Sequence, residues 1–202
     1  MVEHNRVHVV RHGEVDNPTG ILYGRLAGFG LSETGRAQVA AVADALADRD
    51  VVAVIASPLQ RAQETAAPIA EKHNLPVDTD PDLIESVSFF EGRRVGLGDG
   101  AWRDPRVWWQ LRNPFTPSWG ESYIEIAARM MTAMDKARTR GAGHEVVCVS
   151  HQLPVWTLRL HLTGKRLWHD PRRRDCALAS VTTFVYDGDW LVDVEYSQPA
   201  GT

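Results

Sequence analysis

Cysteine is scarce in this 202-residue chain, where Cys148 and Cys176 are the whole complement. Two thiols cannot build a disulfide framework, and Cys148 lies inside the apolar run Val146-Val147-Cys148-Val149, where a reduced thiol packs as a small hydrophobe. No C-x-x-C pair and no His/Cys cluster with zinc spacing occurs, so neither a metal nor a cofactor is expected. Long apolar runs are missing as well; none approaches the roughly 18 residues a membrane span needs, so no membrane partner is expected. Positive charge is not in excess either. With 22 Lys and Arg against 26 Asp and Glu the net charge is -4, which disfavours nucleic acid as a partner. Arg172-Arg173-Arg174 is a local exception, read as a solvated loop. The opening stretch, with Glu3, His4, Asn5 and Arg6 before the first apolar run, leaves no room for a signal peptide, so a cytoplasmic location is expected.

The remaining composition, 44% apolar and 24% charged, is that of a globular protein. A chain of this length suits one domain spanning residues 1–202, able to bury about 70% of its unfolded surface. Short apolar runs at Val7 to Val10, Val51 to Ala56 and Glu145 to Ser150 lack polar alternation and read as buried strands. Val181 to Val185 and Trp190 to Val194, joined by Asp187-Gly188-Asp189, read as a hairpin. Helical spacing predicts helices over Ser32 to Ala47, over Pro58 to Lys72 with proline in the first turn, and over Glu121 to Arg138. In the third, Ile124, Ala127, Ala128, Met131 and Met134 form an apolar stripe that reads as core packing. The alternation predicts a three-layer α/β/α sandwich with a mostly parallel central sheet, whose ligands sit at the carboxyl ends of the strands. Residues 86–120 break it, being rich in Gly and Pro and holding Trp102, Trp108, Trp109 and Trp119, and read as a lid or substrate-facing excursion.

Three motifs fall at predicted strand ends: Arg11-His12-Gly13, Ser57-Pro58-Leu59-Gln60-Arg61-Ala62 and Val149-Ser150-His151. An imidazole with one unprotonated nitrogen can attack phosphorus, and fixed positive charge beside it favours the neutral ring while attracting an anionic substrate. Arg11 and Arg61 would supply that charge through guanidinium forks that bind two phosphoryl oxygens at once, with a protonated His151 as a third cationic donor. A strand-end backbone carbonyl is expected to hold the Nδ1–H of His12 and leave Nε2 free. His8, inside its strand, reads as a satisfied core histidine. Arg93 and Arg94 follow the loop that carries Glu85 and are candidates for holding a second anionic group, with solvated surface arginines as the equal alternative.

Taken in order, Arg11-His12-Gly13-Glu14, Leu31-Ser32-Glu33-Thr34-Gly35-Arg36-Ala37-Gln38, Ser57 to Ala66, Gly120-Glu121-Ser122 and Val149-Ser150-His151 resemble the histidine phosphatase superfamily, the phosphoglycerate mutase-like fold. The resemblance covers nearly the whole chain. It implies His12 as a phosphohistidine nucleophile, with Arg11, Arg61 and His151 around the phosphate. It also implies that Glu85, in Leu83-Ile84-Glu85, donates a proton to the leaving alcohol, with Glu91 as a second candidate because the intervening segment is one residue shorter than the family pattern. Further departures are Val15 for a small hydroxyl residue, Asn17 one position early as a phosphate ligand, Gln152 in place of a glycine beside the pocket, and Leu178 for an asparagine.

The resulting expectation is a metal-independent phosphatase acting on a small phosphorylated substrate, with a homodimer as a compatible assembly. A phosphoglycerate mutase-type transfer is the alternative, disfavoured by the short chain, and a noncatalytic phospholigand- or protein-binding member is the alternative from another class.

Overall fold

The computed structural model describes residues 5–94 and 120–201. Most of the excursion read between 86 and 120, including its four tryptophans, therefore lies outside the described residues. The elements follow as β1 (Asn5–Arg11), α1 (Glu33–Leu46), β2 (Val51–Ala56), α2 (Gln60–Lys72), β3 (Val77–Thr79), α3 (Tyr123–Arg140), β4 (Glu145–Ser150), α4 (Gln152–Leu162), β5 (Val181–Asp187) and β6 (Trp190–Ser197). The strands form one sheet in the order β3-β2-β4-β1-β5-β6. β3, β2, β4 and β1 are parallel, and β5 and β6 complete the sheet antiparallel, joined by the hairpin turn at Asp187 to Asp189.

Alternating side chains divide between two cores, as the pleat of a strand requires. Val7, Val9, Val146 and Cys148 face a layer built from α3 and α4, with Ile126, Met130, Met134 and Leu158. Val10, Val147 and Val149 face the other layer, built from α1 and α2, with Val42, Ala66 and Ile69. The architecture is thus the expected α/β/α sandwich. No helix among the described residues is long and apolar enough to cross a membrane.

Three local readings need correction. Ile124 and Ala128 are exposed and Met131 is half-buried, because Tyr123 takes the inward slot of the first turn; the buried stripe of α3 runs through Tyr123, Ile126, Ala127, Met130, Ala133, Met134 and Ala137. Pro58 stands outside α2, which starts after Leu59 at Gln60. Arg174 is half-buried rather than fully solvated, unlike Arg172 and Arg173 beside it. Ser32 does cap α1, its hydroxyl accepting the Gly35 N–H at 3.0 Å.

Candidate active site

The parallel register sets the carboxyl ends of β1 and β4 level, with Arg11 opposite Ser150, and those of β2 and β4 likewise, with Ala56 opposite Val149. Backbone pairing continues one residue further: the His12 N–H donates to Ser150 O at 3.1 Å and the Ser57 N–H to Val149 O at 3.0 Å. Residues at 12, 57 and 151 are thereby clamped side by side. Gly13 lets the following loop close onto α1, since a Cβ there would lie 2.8 Å from Gly35 O and 2.9 Å from Val39 Cγ2. The Gly13 N–H donates to Thr65 Oγ1, which itself donates to Arg61 O, so the loop is tied to α2 as well.

His12 is buried, and its Nδ1 lies 2.8 Å from Gly13 O. A carbonyl can only accept, so Nδ1 carries the proton and Nε2 is left with its lone pair. Burial, then the charge of Arg61, push the imidazole down to about 3, with Arg11 adding to the effect and the Gly13 carbonyl opposing it. His151 packs beside it with ring centroids 5.1 Å apart, and its Nε2 meets Ser57 Oγ at 2.8 Å. Burial, the neighbouring His12 and Arg61 hold His151 well below its ordinary range. That direction favours the neutral imidazole over the cationic donor anticipated above.

The two arginines are anchored through carbonyls. Arg11 Nη1 donates to Cys176 O at 2.6 Å, and Arg61 Nη2 to Gly24 O at 2.6 Å. The guanidinium of Arg61, a buried residue on the first turn of α2, also lies 4.7 Å from the Tyr23 ring centroid. Among the described residues, the Nε atoms of both arginines and Nδ1 of His151 are buried without a hydrogen-bond partner. Buried donors of this kind call for an acceptor, and converging phosphoryl oxygens would provide one.

Arg11, His12 and Glu85 share the lining of one cavity of about 370 Å³, with Tyr23, Tyr123, Glu121, Gln152 and Arg174 among its walls. Burial raises the Glu85 carboxyl, against the lowering effects of the Ser86 N–H and of Arg61, Arg11 and Arg174. The other acids are engaged differently. Glu121 is ion-paired with Arg129 at 2.6 Å and Arg25 at 3.2 Å, and Glu91 accepts the Arg25 N–H at 2.9 Å outside the described lining. Arg25 also donates from Nε to Glu85 O at 2.6 Å, tying the Glu85 backbone to Glu121.

The remaining predicted ligands divide. Gln152 lines the cavity, its amide nitrogen 3.5 Å from Cys176 O. Asn17, Arg93 and Arg94 are not among the described lining residues, and neither are Arg61 and His151, which act on His12 through the charge and the ring contact given above. Asn17 closes its own turn, bonding Ile21 through both ends of its amide; Arg93 stacks 5.1 Å from the Phe89 ring; Arg94 Nε donates to Thr19 O. Sequence reading missed Ser57, Tyr23, Tyr123 and Arg174. Ser57 alone had a usable signal, opening a motif at a strand end. Among the described residues no group of three or more His, Cys, Asp or Glu could hold a metal ion.

A family model of the histidine phosphatase superfamily (branch 1) matches residues 7–196. The uncharacterized protein Rv0525 of Mycobacterium tuberculosis (strain H37Rv) is 84% identical over 200 residues, covering 99% of each chain. A glucosyl-3-phosphoglycerate phosphatase of Mycolicibacterium vanbaalenii is 28% identical over 167 residues, covering 79% of this chain and 74% of that one. The solved structure of the mycobacterial glucosyl-3-phosphoglycerate phosphatase Rv2419c superposes with a TM-score of 0.77 at 24% identity, covering 98% of this chain and 100% of that one, which shows a shared fold.

Proposed function

The chain belongs to the histidine phosphatase superfamily, and from that membership we propose that it is a metal-independent phosphomonoester hydrolase working through a phosphohistidine at His12. The observation that carries this reading is the His12 imidazole itself. Its Nδ1 proton is bound to Gly13 O, and the ring shares one cavity with Arg11 and with Glu85.

In the first step His12 Nε2 attacks phosphorus, the bond from phosphorus to the leaving oxygen breaks, and Glu85 gives its proton to that oxygen. A free alcohol departs. Burial keeps the carboxyl raised and hence able to be protonated near neutral pH, and a phosphate dianion beside it raises it further. In the second step the Glu85 carboxylate takes a proton from water, the water oxygen attacks phosphorus and the phosphorus–nitrogen bond breaks. Inorganic phosphate leaves, His12 is again neutral and Glu85 is again protonated. Arg11 and Arg61 hold the equatorial oxygens through both steps, the role that a metal fills in other phosphoryl-transfer sites. The same dianion favours a proton on His151, which then becomes a charged donor only when substrate is bound.

The test is phosphate release from p-nitrophenyl phosphate, sugar and glycerate phosphates and glucosyl-3-phosphoglycerate, in EDTA, with wild type and His12→Ala. EDTA-resistant turnover that His12→Ala abolishes is the expected result. Interconversion of phosphoglycerates without phosphate release would instead favour a mutase, and absence of turnover by folded wild type would favour a phospholigand-binding member.

A further inference from the structure

The run Arg172-Arg173-Arg174 divides by orientation. Arg172 folds back on Asp170 at the surface, Nη2 to Oδ2 3.1 Å, whereas Arg174 turns inward and lines the cavity that holds His12 and Glu85. Its approach is fixed by a relay. Leu167 O lies 2.6 Å from His169 Nδ1, which must therefore carry the ring proton, so His169 Nε2 accepts from Arg174 Nε at 2.8 Å. Tyr123, whose ring lies 5.3 Å from that of His169, approaches Arg174 from α3 and lines the same cavity. Both partners are neutral, so neither cancels the guanidinium charge.

The position within the cavity is also specific. Arg61 and Arg11 act on both His12 and the Glu85 carboxyl, whereas Arg174 joins them on Glu85 and lines the same cavity, toward the side where the leaving alcohol receives its proton. A half-buried, pre-oriented guanidinium there, beside an acid whose burial favours its neutral form, is free to take an anion. We propose that Arg174, held by His169 and Tyr123, binds a second anionic group carried by the leaving alcohol, so that the preferred substrates are phosphomonoesters bearing a carboxylate or another phosphate close to the scissile bond. This assignment rests on the phosphatase reading of His12 and Glu85, and it gives Arg174 the role that the sequence suggested for Arg93 and Arg94.

The experiment compares matched pairs: phosphoglycolate against ethyl phosphate for a carboxylate, and propane-1,3-diol bisphosphate against propyl phosphate for a second phosphate. In wild type the anionic member of at least one pair should have the higher kcat/KM, and the better pair identifies the group. Arg174→Gln should reduce that ratio by about tenfold or more, the size of one charge-assisted bidentate contact. Arg174→Lys, which keeps the charge and loses the fork, should retain part of it. Equal kcat/KM within both pairs in wild type, or a ratio unchanged in Arg174→Gln, overturns the assignment. Calorimetric Kd values for the same pairs, taken with His12→Ala alone and combined with Arg174→Gln, read the anion preference of the ground state without turnover. A failed phosphatase reading, seen as p-nitrophenyl phosphate turnover indifferent to His12→Ala, is therefore separable from a failed Arg174 subsite.

Discussion

β1 and β4 run side by side and carry a polar cluster at each end, and the two clusters are built on opposite rules. At the amino end, His8 Nε2 meets Glu145 Oε2 at 2.7 Å, His8 Nδ1 meets Thr183 Oγ1 at 2.8 Å, and Arg49 grips both oxygens of Glu145 at 2.8 and 2.7 Å. At the carboxyl end, Arg11, His12, Arg61 and His151 gather with carbonyls and one hydroxyl as their assigned partners, and three of their nitrogens are buried with none among the described residues. Burial pulls the Glu145 carboxyl up, but hydrogen bonds from His8 and Arg49 overcome it and hold the group at about 2. His12 is driven to about 3, which for a histidine means loss of charge. The first cluster neutralises itself and holds strands together. The second keeps positive potential directed at a cavity, at a cost in desolvation that a bound anion offsets.

The largest expected difference between the ends is in turnover. His12→Ala should lower kcat by about 10⁴ or more, as loss of a covalent nucleophile does, with near-ultraviolet circular dichroism unchanged. Glu85→Gln should follow with a loss on the order of 10²–10⁴ on alkyl phosphates and a much smaller one on p-nitrophenyl phosphate, whose leaving group scarcely needs a proton. Comparable losses on both substrates would remove Glu85 from the acid role. Arg61→Met should cost roughly 10²–10³ in kcat/KM, while its urea midpoint stays level or rises, because an apolar side chain replaces a buried guanidinium with an orphaned Nε. At the other end the pattern should invert. Glu145→Gln is expected to lose about 1–3 kcal/mol of unfolding free energy with kcat/KM kept within about twofold.

The smallest effect is in acid stability, and it separates the ends by pH. Folded His12 titrates at about 3 against an ordinary 6.5, so the unfolded chain binds more protons below 6.5 and stability declines from there toward pH 3. Glu145, at about 2 against 4.5, stabilises the fold above 4.5, and that contribution is lost as pH falls toward 2. Urea midpoints of a His12→Gln, His151→Gln double variant should therefore fall less than those of wild type between about pH 6.5 and about pH 5. Parallel curves would mean that the site histidines are not buried in the neutral form.

These ends were unequally legible in the sequence. Val7 to Val10, Val51 to Ala56 and Glu145 to Ser150 announced themselves as strands because both faces are buried, and a polar motif following each was visible as a break in apolar character. β3 passed unnoticed, being three residues long with Asp78 at its centre. α4 was also missed, its start coinciding with the histidine motif and its third residue being Pro154. Arg174 was misread because its environment comes from His169 and Tyr123, and nothing local distinguishes it from Arg172 and Arg173. Asn17, Arg93 and Arg94 were chosen by type and spacing, which cannot reveal that nearby backbone and Phe89 engage them.

The two backbone bonds that clamp the site, from His12 to Ser150 and from Ser57 to Val149, join residues very far apart along the chain. No contiguous fragment contains both partners in the first of these pairs unless it spans most of the protein. Such contacts form late and slowly, because a long loop must close before either bond can be made. Refolding should therefore recover secondary structure before it recovers activity, and the lag between them would time the closing of the central sheet.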